Sequence, residues 1–126
     1  MRQVIFTDKA PAAIGPYSQA IKINGLVYTS GQVPVNPETK KIDSEDIEIQ
    51  AKQVMKNLDA VLKAANTDLS RVVKSTIFLK DLNDFAKVNE IYGSFFKSEP
   101  PARSCVQVAK LPLDCKIEIE VIALAD

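Results

Sequence analysis

One stretch of this sequence constrains the fold more than any other. From Ile47 the apolar residues fall at Ile47, Ala51, Val54, Met55, Leu58, Val61, Leu62 and Ala65. That i, i+3, i+4, i+7 spacing gives a helix one continuous apolar face, which must be buried against another element. Ser44 or Asp43 can cap its start, and Asn66 suits a left-handed stop. The run that follows, Val72–Leu79, is β-branched and apolar, as a buried strand requires. A second periodic stretch, Leu82, Phe85, Val88, Tyr92, Phe95 and Phe96, predicts another helix, with Asp81 or Asn83 as its cap. Pro100-Pro101 breaks the chain before two further strand candidates, Arg103–Val108 and Lys116–Leu124, joined by a turn containing Pro112.

Upstream of the long helix, Arg2–Phe6 is a short strand candidate and Thr7–Pro16 a loop. Tyr17–Ile23 and Leu26–Ser30 flank Asn24-Gly25, a dipeptide that supplies the two positive-φ positions of a type I′ hairpin turn. Gly31–Ile42 carries Pro34 and Pro37 and is expected to be a long loop.

The order is then β-ββ-α-β-α-ββ, an α+β chain of one mixed sheet. No repeat or linker interrupts it, and 126 residues fit one domain over 1–126. Leu26–Ser30, Val72–Leu79 and Arg103–Val108 are connected through the helices. Right-handed crossovers place both helices on one sheet face. The other face is left bare. Lys116–Leu124 is apolar on both parities, with Ile117, Ile119, Val121 and Ala123 on one side and Ile122 and Leu124 on the other. An apolar face of that kind needs a partner, so copies are expected to pack through their sheet faces.

Composition narrows the chemistry. The chain has no histidine, which removes Ser-His-Asp and Cys-His nucleophile systems. With two cysteines, Cys105 and Cys115, it also lacks the usual zinc ligand set. An acid or base must therefore be a carboxylate, Tyr, Lys, Cys or water. Neither GxGxxG nor a P-loop occurs, so no nucleotide or other cofactor is expected. Lys+Arg and Asp+Glu are each 16, and zero net charge argues against nucleic acid as the main partner. No segment has the apolar length of a membrane span or of a signal peptide, so a cytosolic protein with free thiols is expected.

Among what remains, Arg103 and Glu118 stand out. If Ala109–Cys115 is a turn, their strands form a hairpin in which the two side chains share a face. An arginine beside a carboxylate makes an anion site with a water-positioning acid. On spacing alone the commoner outcome is a cross-strand salt bridge contributing about 0.2–1 kcal/mol. Arginine suits a small carboxylate because its planar fork binds both oxygens.

Four separated blocks widen the reading. They are Ala-Ile-Gly-Pro-Tyr-Ser-Gln-Ala at 13–20, Thr-Ser-Gly-Gln-Val-Pro at 29–34, Lys-Asp-Leu-Asn-Asp-Phe-Ala-x-Val-Asn at 80–89, and Pro-Ala-Arg-Ser-x-Val at 101–106 followed by Ile-Glu-Ile. In this order they resemble the reactive-intermediate deaminases, the RidA or YjgF family, over almost the whole chain. The resemblance implies a chorismate-mutase-like fold and a homotrimer with sites at subunit boundaries. It implies cofactor-free hydrolysis of 2-enamino and 2-imino acids, such as 2-aminoacrylate and 2-aminocrotonate, to 2-ketoacids and ammonia.

By the same resemblance, Arg103 binds the substrate carboxylate and the backbone N–H of Cys105 helps to hold the substrate. Glu118 orients and activates water. Tyr17, Ser30, Gly31 and Asn89 line the cleft, some from a neighbouring subunit. Each has a plainer reading: Tyr17 a solvent-facing aromatic, Ser30 a loop brace, Gly31 a strand end, Asn89 helix surface. The Cys105 thiol lacks an activator other than Arg103 and is expected to be inert; Cys115 reads as a turn or strand-start residue. The sequence departs from the family in lacking a glycine within Pro37–Lys41 and in its short stretch before Pro101. Two other functions compete, a sensor that binds small carboxylates without turnover and an RNA-directed inhibitor or nuclease. A chorismate mutase has only the fold in its favour.

Overall fold

A computed structural model describes the whole chain, residues 1–126. Eight main elements follow one another: β1 (Gln3–Ile5), β2 (Ala20–Ile23), β3 (Leu26–Thr29), α1 (Ile47–Ala64), β4 (Val72–Leu79), α2 (Phe85–Gly93), β5 (Ala102–Gln107) and β6 (Ile117–Leu124). The architecture is α+β, as the hydrophobic pattern predicts.

Local signals act where the sequence places them. Asn24 and Gly25 have φ values of 51° and 77° and close the β2–β3 hairpin. Asn66 ends the α1 region at φ 62°. The α1 cap is Asp46 rather than Ser44 or Asp43; its carboxylate accepts from the Glu48 N–H, while Ser44 accepts from Asp46 one step earlier. Asp81 caps a 3₁₀ turn, Leu82–Asp84, that leads into α2, and Phe95 and Phe96 lie beyond the end of α2. Tyr17 also falls outside the strand expected for it, because β2 begins only at Ala20. Lys40, in the Pro37–Lys41 loop that lacks a glycine, adopts φ 63°.

The sheet has six strands in the order β1-β2-β3-β6-β4-β5. β6 is antiparallel to both β3 and β4, and β5 is parallel to β4. This overturns the expected hairpin between the last two strands. β4 lies between them, Arg103 is opposite Ser75, and Glu118 is opposite Phe78. The reason is burial. A strand apolar on both parities gains more in the middle of a sheet than at its edge. The connection also turns through Pro112–Asp114 with Leu113 and Asp114 at positive φ, and does not close a tight hairpin.

Both helices cover one face, with α1 over β6 and β3 and packed against α2. Beneath them lie Val54, Met55, Leu58, Val61 and Leu62 of α1 with Ile117, Ile119, Val121 and Ala123 of β6, all at most 2% exposed. Burying a valine or leucine of this kind contributes about 1.5–3 kcal/mol. The opposite face carries no helix. It presents Tyr28, Val106 and Leu124, each 43% exposed, and Val4 at 55%, together with Ile122, Glu118 and Glu120.

Candidate active site

The site residues named from the sequence fall into two groups, and the sheet separates them. Arg103 pairs in register with Ser75, which is fully buried under the helices. Directly paired residues point to the same face, so the Arg103 side chain rises on the helix side of β5. Glu118 alternates with the buried Ile117 and Ile119 and therefore points to the bare face. The expectation that both share one face is incorrect for a single chain.

Around Arg103 the second helix forms a cradle. Phe85, Asn89 and Tyr92 are spaced i, i+4, i+7 and share one stripe of α2. The guanidinium carbon lies 5.4 Å from the Phe85 ring centroid and 5.2 Å from that of Tyr92. Its Nη1 donates to Asn89 Oδ1 at 2.7 Å. No carboxylate pairs with it, since the ion pairs are Lys63–Asp59, Arg71–Asp126 and Lys80–Asp114. The rings hold the cation in place without neutralising it. A full positive charge is thus offered at the sheet's edge.

The edge itself supplies donors. Val108 N–H donates to Leu79 O at 2.9 Å. Bonding alternates along a strand, so Arg103, Cys105 and Gln107 turn their N–H groups away from β4. The Cys105 N–H is therefore open to a ligand beside the guanidinium. Burial pushes the Cys105 thiol above its ordinary value, against the pull of Arg103. The sulfur is consequently not activated. Cys115 precedes β6, buried, with its thiol pushed up to about 11 chiefly by burial, and its Sγ contacts Ile117 O.

The second group lies on the other face. Gly31 is in direct contact with Glu118, since a Cβ on Gly31 would overlap the Glu118 carboxylate. Gln32 brackets this contact by exchanging two backbone bonds with Ile119, at 2.8 and 3.1 Å. From the helix side, Asn57 Nδ2 donates to the carbonyls of Val33 and Val35 and ties down the segment after Gly31. Burial raises the Glu118 carboxyl above its ordinary value, and the like charge of Glu120 adds to this. A carboxylate so placed is the better proton acceptor.

Ser30 and Tyr17 join this group through the loop. Ser30 Oγ donates to Ser18 O at 2.6 Å, and its N–H donates to Gln19 O. The loop brace is thus a real part of what Ser30 does. Gln19, itself buried, binds Thr7 and Pro11 and holds the other side of the loop. Tyr17 stands half-exposed at the mouth of an open cleft of about 600 Å³, lined also by Arg2, Ser18, Tyr28 and Ser30. Neither Arg103 nor Glu118 lines that cleft.

Sequence reasoning missed Phe85, Tyr92 and Ser75 as partners of Arg103. For Phe85 and Tyr92 the signal was the i, i+4, i+7 stripe of α2, which read as core only; Ser75, on β4, had none. No group of three His, Cys, Asp or Glu side chains is placed to hold a metal ion.

The family model described as Endoribonuclease L-PSP matches residues 7–125. A chloroplastic Reactive Intermediate Deaminase A of Arabidopsis thaliana is 57% identical over 97% of this chain, which spans 65% of that protein. This chain belongs to the RidA family. A RutC family protein of Pyrococcus abyssi is 52% identical over 97% of this chain and 96% of its own length. Among solved structures, a Rid family protein of Yersinia pestis has a TM-score of 0.97 at 51% identity, covering 99% of this chain and 100% of that one. TdcF of E. coli, solved with bound serine, has a TM-score of 0.93 at 45% identity, covering 98% and 99%. The two solved structures share the fold of this chain.

Proposed function

We propose that this chain is a deaminase of 2-imino and 2-enamino acids that works without a cofactor. The observation that carries the reading is Arg103, a cation held by two rings and an amide with no carboxylate partner. Its fork takes both oxygens of the substrate carboxylate, and the Cys105 N–H adds a third donor. The serine carried by TdcF, a small carboxylate ligand, agrees with that chemistry.

Arg103 and Glu118 of one chain face opposite ways, so one copy does not enclose a substrate. Two copies do when the bare sheet face of one meets the β5 edge of the next. Arg103, Asn89 and the Cys105 backbone then come from one subunit, and Glu118, Gly31, Ser30 and Tyr17 from its neighbour. A homotrimer repeats that contact three times and covers the exposed Val4, Tyr28, Val106 and Leu124.

The reaction needs few parts. The enamine 2-aminoacrylate tautomerises to 2-iminopropanoate, with Glu118 or a bound water handling the proton. Water then adds to C2 of the imine. Glu118 takes a proton from that water, and a proton passes to nitrogen. The carbinolamine collapses, its C–N bond breaks, and ammonia leaves pyruvate behind. Holding carboxylate and water together exploits proximity, and Glu118 acts as general base. 2-Aminocrotonate, one methyl longer, gives 2-ketobutyrate by the same route.

A coupled assay tests the proposal. A serine or threonine dehydratase generates the enamine, and ketoacid appearance is followed with and without this protein. Faster appearance with wild type is expected. Arg103→Ala should lose about 10²-fold or more of kcat/KM, the cost of charge-assisted bonds, with the assembly intact. No acceleration by wild type would leave a binding module for small carboxylates as the better account.

A further inference from the structure

The Arg103 cradle has a second layer that the proposed chemistry does not use. Tyr92 is 4% exposed, and its hydroxyl donates to Ser75 Oγ at 2.8 Å. Ser75 is fully buried and is the register partner of Arg103 across the β4–β5 ladder. Three contacts therefore close a loop: strand pairing from Arg103 to Ser75, the hydroxyl bond from Ser75 to Tyr92, and the ring face of Tyr92 against the guanidinium at 5.2 Å. Phe96 packs against the Tyr92 ring, with centroids 4.7 Å apart. Burial holds the phenol above its ordinary range, which keeps it a donor.

A tyrosine buried this deeply would pack as well with phenylalanine if only bulk mattered. The hydroxyl fixes the helix at one register along the strand pair, at the rung where Arg103 sits. Without it, α2 meets β4 by apolar contact alone, which is non-directional, and its polar tie to the sheet is the Asn89–Arg103 bond itself. We infer that Tyr92, through its bond to Ser75, is a positioning residue that sets the direction of the Arg103 guanidinium and hence the fit of the substrate carboxylate. The inference builds on the reading of Arg103 as carboxylate anchor. It extends that site to two residues that touch no substrate.

The test uses the full chain with Tyr92→Phe, Ser75→Ala, the double variant, and Ser75→Thr, which keeps a hydroxyl. Two readouts are taken, steady-state kinetics in the coupled assay and the ¹H–¹⁵N signal of Arg103 Nε, which requires no substrate. The first two variants should raise KM about five- to tenfold with kcat nearly unchanged, the mark of weakened ground-state binding. The double variant should be no worse than either, since one bond is lost in all three. Ser75→Thr should restore wild-type KM. The Arg103 signal should show faster local motion in Tyr92→Phe, in Ser75→Ala and in the double variant, but not in Ser75→Thr. An unmoved Arg103 signal with unmoved KM overturns the inference. So does an effect of Tyr92→Phe that Ser75→Ala does not share. Should wild type fail to deaminate at all, the proposed function falls, while the Arg103 signal still decides the clamp.

Discussion

Arg103 and Glu118 carry opposite charges and are held in opposite ways. Arg103 is gripped by an amide at 2.7 Å and two aromatic rings, one of them pinned to the sheet. Glu118 has no ion pair and lies against bare backbone at Gly31. The difference fits the roles proposed for them. An anchor must present two donors at a fixed angle, so orientation is worth the ordering cost. A proton acceptor needs reach and a suitable pKa, and partial burial supplies the second. The anchor is assembled within one chain. The proposed acceptor lies on the opposite face of the sheet.

The largest effect is expected from mixing subunits. Arg103→Ala and Glu118→Ala proteins, each inactive alone, are expected to regain activity when co-assembled, in roughly a quarter of sites for random mixing. No recovery, with mixed oligomers verified by mass spectrometry, would place both groups in one chain's site. Next in size is Gly31→Ala. Gly31 has no positive φ, so the added methyl costs little backbone strain. It must nevertheless displace the Glu118 carboxylate. We expect kcat to fall about tenfold or more with the melting temperature unchanged; normal kcat would show that Glu118 can act from elsewhere.

A smaller effect should appear in the pH profile. Glu118 works as a carboxylate, so activity should be lost as pH falls through its raised pKa, above the ordinary glutamate value. Glu120→Gln removes the like charge and should move that acid limb to lower pH, leaving the larger effect of burial in place. A limb that does not move would detach Glu120 from Glu118. The smallest change is expected for Asn89→Ala. The two rings still hold the guanidinium, so KM should rise only about two- to fivefold. A loss as large as that of Arg103→Ala would mean that Asn89 contacts the substrate itself.

The elements of the fold were largely legible from the chain. The α1 stripe, the Asn24-Gly25 turn and the β-branched Val72–Leu79 are local signals, and each acts within a few residues. Cap identity was less legible, because Asp43, Ser44 and Asp46 are all chemically able to cap α1. The cradle was half-legible: Asn89 came from the resemblance, and Phe85 and Tyr92 looked like core because their spacing serves both purposes.

The α+β class, the two crossovers, the family and the short roster of groups able to act in a chain without histidine could all be read from the order of residues. It also identified an apolar second face on the last strand, since alternation is written residue by residue. The insertion of β6 between β3 and β4, which sends Arg103 and Glu118 to opposite faces, emerges from three-dimensional packing. Strand order is chosen by burial summed over the whole sheet. A period-two pattern fixes which residues share a face along one strand, but not which strand lies beside it.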